Sequence, residues 1–133
     1  GHGCLEQYAS ATGVVRLAKK KLADSSKPSV LRDDEVTAKA VWDAVKADDE
    51  LAKEVANIYG EYLGKGLAAV AAVVNPQVFV IGGGVSKAGR VVIDYLEPYF
   101  DKYAFPGTKN AKFVLAKLGN DAGIYGAAKL VLG

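Results

Sequence analysis

Asn75-Pro76-Gln77-Val78-Phe79-Val80-Ile81-Gly82-Gly83-Gly84-Val85-Ser86 holds a stop, a strand, a bare-backbone turn and a restart. Asn-Pro ends a helix, because proline lacks the N–H that helix propagation needs and restricts the residue before it. Val78 to Ile81 is apolar at every position, so both faces of the strand are covered. That is the habit of an inner strand in a parallel sheet. Gly82-Gly83-Gly84 then turns the chain with no Cβ in the way, which lets a ligand approach the backbone. A helix N-terminus close behind offers free N–H groups and the positive end of its dipole to phosphate. No Gly-Lys-Ser/Thr follows, so this is no P-loop. No glycine stands three after Gly84, so the dinucleotide fingerprint is missing too. By motif alone a plain strand-to-helix turn fits equally well.

Upstream of this stretch the spacing is helical. Gln7 to Ala23 reads as a helix with Ser10 as N-cap for the part that follows. Its stripe is Val14, Val15, Leu17, Ala18 and Leu22, and Arg16, Lys19, Lys20 and Lys21 form its wet face. Asp24 to Ser29 is a polar loop holding Pro28. Thr37 opens a second helix carrying Trp42, to about Ala47. Asp48 or Asp49 caps a long third helix from Glu50 to Val74, with the stripe Leu51, Val55, Ile58, Tyr62, Leu67, Val70 and Val73. Gly60, Gly64 and Gly66 lie inside it. Each costs about 1 kcal/mol against alanine, so a close backbone neighbour is expected.

Downstream, a helix begins at Ser86 or Gly89 and runs to Tyr103. Phe105 to Thr108 is loop. Lys112 to Leu118 alternates imperfectly and reads as a second strand. Asn120 or Asp121 caps a final helix to about Leu132, and capping is the whole expected role of that pair. Trp42 is expected to pack. Three helices followed by βαβα make an α/β fold, expected as one domain over residues 1–133.

Composition excludes several classes. The chain of 133 residues can bury one real core. A net charge of +2 argues against an extended nucleic-acid surface. No apolar run approaches the roughly 20 residues of a membrane span. The longest, Leu67 to Val74, reads as a short buried helix face. One cysteine allows no internal disulfide and suits a reducing cytoplasm.

Three stretches together resemble the ROK family of sugar kinases and repressors, and more narrowly its bacterial glucokinases. They are Gly3-Cys4-Leu5-Glu6-Gln7-Tyr8-Ala9-Ser10, the Asn75–Ser86 stretch, and Gly119-Asn120-Asp121-Ala122-Gly123. The resemblance implies the C-terminal lobe of an actin-like, ribonuclease-H-like kinase, in which two lobes close on ATP and substrate. The chain is therefore expected to be a piece of a longer, ATP-dependent glucokinase acting on the 6-hydroxyl of glucose. The hexose itself stays open among glucose, mannose, fructose and N-acetyl sugars. Gly82, Gly83, Gly84 and Val85 are implied to meet the nucleotide, with Mg²⁺ on its phosphates. Glu6 is implied to bind sugar hydroxyls; an ionised carboxylate accepts two of them well. Taken by itself, Glu6 would be only a charge at a helix start.

The family's zinc site holds three thiolates and a histidine. Cys4 would be one thiolate, with the others upstream, since a lone cysteine cannot complete a tetrahedral site. His2 falls on a variable position and reads as solvated. The catalytic base and the phosphate-binding Asp-x-Gly-x-Thr hairpin are also implied to lie upstream, so no catalytic residue is expected here and the isolated chain should be inactive. A homo-oligomer is implied as well. Two alternatives remain: a sugar-sensing ROK repressor, marked by an N-terminal helix-turn-helix, and a stand-alone interaction module.

Overall fold

The computed structural model describes residues 11–82, 87–108, 111–115 and 128–131. Its helices are α1 (Ala11–Asp24), α2 (Ala38–Lys46), α3 (Glu50–Val74) and α4 (Val91–Tyr103). Its strands are β1 (Val78–Gly82), β2 (Lys112–Leu115) and β3 (Ala128–Val131), with short 3-10 turns at Val30–Arg32 and Pro106–Thr108.

The helix ends follow from local chemistry. Thr37 caps α2, its hydroxyl accepting from the Ala40 N–H at 3.0 Å. Asp49 caps α3, one carboxylate oxygen accepting from the Ala52 N–H at 2.9 Å. The same carboxylate accepts from the Ser29 hydroxyl at 3.0 Å and the Val30 N–H at 2.9 Å, so it also pins the loop after α1. Asn75 ends α3 in the left-handed conformation at φ 44, donating its N–H to the Ala71 carbonyl at 2.8 Å. Asparagine tolerates that conformation better than most residues, and Pro76 prevents any continuation.

α3 and α4 form the main seam. A Cβ on Gly60 would collide with the Tyr95 carbonyl, 2.7 Å from its carbon, and one on Gly64 would sit 2.7 Å from the Tyr99 Cβ. The two glycines are where the backbones touch. Tyr99 and Tyr103 donate their hydroxyls across the seam to Asn57 at 2.7 Å and Glu61 at 3.1 Å. This contact turns the buried face of α3 away from the expected stripe. Leu51, Val55 and Leu67 are buried, joined by Tyr59, Leu63 and Ala71, whereas Tyr62 and Val73 are 45% and 84% exposed. The second half of α3 is apolar almost all round, so its sequence does not say which side is covered. The Leu67–Val74 run, expected to be buried, accordingly ends in exposed Val73 and Val74.

The sheet is parallel, in the order β2-β1-β3. Phe79 of β1 stacks on Phe113 of β2 with centroids 5.3 Å apart, and Phe100 of α4 meets Phe113 edge-on at 5.0 Å. That cluster locks α4 onto one face of the sheet. β1 is buried from Phe79 to Gly82, as the apolar run requires.

At the C-terminal end the structure departs from the sequence pattern. The pattern predicts a last helix running to Leu132, but Ala128–Val131 is a strand paired with β1, Phe79 opposite Ala128 and Gly82 opposite Val131. A central strand has unpaired N–H and C=O groups on each edge, and burial makes their pairing obligatory. Ala-Lys-Leu-Val is short and apolar enough for either state, so the vacant edge decides. Observed β2 spans Lys112–Leu115, and the rest of its expected extent to Leu118 lies outside the described residues. Likewise α1 is described from Ala11, which leaves Gln7 to Ser10 outside.

Candidate nucleotide site at the end of the central strand

Ligands of open parallel α/β sheets sit outside the carboxyl ends of the strands. Here β1 is the middle strand and its last residue is Gly82, buried and level with Val131 of β3, one residue beyond the Ile81–Leu115 pair with β2. Being glycine, Gly82 brings no side chain to the strand end. Gly83, Gly84 and Val85 lie outside the described residues, as do Cys4, Glu6 and His2.

Lys87 and Ala88 form one wall of a cleft whose other wall is α2, through Ala38, Lys39, Trp42, Asp43 and Lys46. Its volume is about 330 Å³. That lies at the low end of the range for small-molecule sites, roughly 300–1,000 Å³. Gly89 follows at φ 87, a left-handed turn that sends the chain from the cleft wall into α4. Glycine takes that conformation without the strain a Cβ brings.

Trp42 is the floor. It is 2% exposed and packs edge-on against Tyr59 at 5.7 Å and Tyr95 at 6.4 Å, so the indole is held from α3 and α4 together. Its buried Nε1–H has no hydrogen-bond partner among the described residues. Burial also pushes the Tyr59 hydroxyl well above its ordinary range. The rim is charged. Lys39 Nζ lies 2.7 Å from Asp43 Oδ2, one helical turn apart. The hydrogen bond from Lys39 holds the Asp43 carboxyl below the usual carboxylate range, against an opposing effect of desolvation and with help from the Lys39 and Lys46 charges. The same bond raises Lys39. The result is an apolar slot with three ammonium groups and one carboxylate at its mouth.

The strand end at Gly82 is legible in the sequence; the cleft is not. Trp42 packs, as its sequence context implies, but it also lines an opening. The available signal is the spacing of Lys39, Trp42, Asp43 and Lys46, which puts an aromatic ring inside a charged stripe at helical period. What that stripe cannot show is that Lys87 comes back to face it. Among the described residues there is no group of three metal-ligating side chains and no helix long and apolar enough to cross a membrane.

The described residues form an α/β fold with a small parallel sheet and a mixed cleft between α2 and Lys87. The ROK family profile matches residues 1–133, and the chain belongs to that family. It is 40% identical over 134 residues to the glucokinase of Halalkalibacterium halodurans, an alignment covering 97% of this chain and 41% of that protein. It is 29% identical over 128 residues to the DNA-binding transcriptional repressor Mlc of Escherichia coli, covering 96% of this chain and 31% of the repressor. Among solved structures, a ROK family glucokinase from Streptomyces griseus in complex with glucose and AMPPNP superposes with a TM-score of 0.78 at 30% identity, over 88% of this chain and 40% of that one. The chain thus spans about two-fifths of the length of the glucokinases it matches.

Proposed function

We infer that this chain is the nucleotide-binding part of an ATP-dependent glucokinase, the C-terminal lobe of a two-lobe enzyme. The observation that carries the reading is that the central strand β1 ends at Gly82, on the carboxyl side of a parallel sheet, with the α2–Lys87 cleft following in the chain. In this reading the ribose and phosphates lie along Gly82, Gly83, Gly84 and Val85, and the base occupies the slot between α2 and Lys87. Backbone N–H groups near the turn suit the phosphates, with Mg²⁺ carried on them. Glu6 accepts sugar hydroxyls, and Cys4 is one thiolate of a zinc site completed by the rest of the polypeptide. Transfer of the γ-phosphoryl group to the sugar 6-hydroxyl depends mainly on positioning and charge neutralisation. Both need the other wall of the cleft, so the 133-residue chain by itself is inactive in this reading. A repressor parent is the second reading, supported by the likeness to Mlc; the higher identity to a glucokinase favours the kinase.

Gly83→Val in the complete polypeptide tests the nucleotide assignment. The expected result is a KM for ATP raised at least about tenfold, with the KM for glucose nearly unchanged and a modest fall in Tm. Such a loss corresponds to about 1.4 kcal/mol of binding. A large drop in Tm with ATP affinity preserved would reduce the glycine turn to a structural device.

A further inference from the structure

The cleft between α2 and Lys87 has an uneven supply of hydrogen-bonding side chains. Lys39, Lys46 and Lys87 can only donate, and so can the Trp42 indole. Ala38 and Ala88 contribute neither. Among the described residues lining the slot, Asp43 is the one whose side chain can accept. Its Oδ2 is engaged by Lys39 at 2.7 Å, which fixes the carboxylate beside the slot and leaves Oδ1 to be used. Among the described side chains, a planar heterocycle entering over Trp42 therefore meets three lysines for its ring acceptors and a single carboxylate for any N–H donor.

We propose that Asp43 is the base-specificity residue of this site, selecting a purine with an exocyclic amino group where hypoxanthine carries a carbonyl oxygen. The inference rests on the reading of the cleft as the base subsite. Physically, an amino group gives a charge-assisted hydrogen bond to Asp43, whereas a carbonyl oxygen would face a carboxylate of the same sign of charge density. A site built around such a bond discriminates strongly against the analogue that lacks it. Lys39 acts as a positioning residue, holding Asp43 in place through their ion pair.

The test compares ATP and ITP as ligands and as phosphoryl donors of the complete polypeptide, with Asp43→Asn as the variant. The asparagine amide keeps the shape and can donate to a carbonyl oxygen. The unmodified protein should prefer ATP by about tenfold or more, the loss expected for a hydrogen bond to a charged group. Asp43→Asn should bring that ratio to about one or invert it, with the KM for glucose and the Tm unchanged, because the Asp43 side chain is 52% exposed and holds no part of the core. Lys39→Ala should reduce the ratio by a smaller factor. If the unmodified protein binds ATP and the ratio does not move in Asp43→Asn, the Asp43 assignment is overturned and the nucleotide reading survives. If neither nucleotide binds the unmodified protein, both fall together.

Discussion

The α3–α4 seam and the α2–Lys87 cleft use small residues to opposite ends. At the seam, Gly60 and Gly64 let two backbones touch, and no room remains for even a methyl group. At the cleft, Ala38 and Ala88 line about 330 Å³ that nothing among the described residues fills. Tyr95 bridges the two regions. Its backbone and Cβ lie against Gly60, and its ring meets the edge of Trp42. A closed seam therefore backs an open slot, and the rigidity of the first holds the floor of the second. Glycines inside a helix signal a close neighbour, but alanines lining a cleft signal nothing until the facing wall is known.

The comparison breaks most readily at Gly60. Gly60→Ala should gain helix propensity and still destabilise, because the new Cβ meets a backbone carbonyl that cannot rotate aside. The expected net cost is about 3 kcal/mol, at the upper end for overpacking. On the order of 10 °C should be lost in a thermal melt. A stable Gly60→Ala variant would show that the seam has slack.

Next in size is the polar clasp at the start of α3. Asp49→Ala removes a helix cap and the anchor of Ser29 and Val30 together, and should cost about 2 kcal/mol in denaturant titration. Burial raises the Asp49 carboxyl, but the hydrogen bonds from Ala52, Val30, Ser29 and Leu51 outweigh it and hold the group below its ordinary value. A depressed carboxylate stabilises the fold above its unfolded pKa, about 3.9, and loses that contribution as pH falls through the folded value. The gap between the original chain and Asp49→Ala should hold at neutral pH and narrow only in acid below about pH 4. A gap independent of pH would point to packing instead of charge.

The smallest effects separate space from conformation on the open side. A methyl group placed on Gly89 or Gly107 would meet nothing within 4 Å, but only Gly89 has a positive φ, at 87. Gly89→Ala should cost about 1 kcal/mol through backbone strain alone. Gly107→Ala should fall within about 0.5 kcal/mol of zero. Equal melting curves for the two would mean that the turn after the cleft wall adjusts freely.

Much of the fold is written locally. Thr37, Asp49 and Asn75 set helix ends because a cap acts on N–H and C=O groups a few residues away. Val78 to Ile81 announces a doubly covered strand because no polar side chain interrupts it, and Gly60 with Gly64 announces a close neighbour. The resemblance of the Asn75–Ser86 stretch points to the end of β1 as a nucleotide site, and the strand does end at Gly82, as the glycine run implies. Tertiary contact decided the rest. It chose Tyr59 over Tyr62 as the buried aromatic of α3, because α4 docks on the glycine face of a helix that is apolar nearly all round in its second half. It drew Ala128–Val131 into the sheet, because the free edge of β1 outweighed a weak helical preference. It also made a cleft from Trp42 and Lys87, residues 45 positions apart whose meeting no periodicity encodes. Caps and strand patterns act through the chain itself, within a turn or two. Faces, edges and clefts depend on which distant surface arrives to cover them, and that is set only when the whole chain packs.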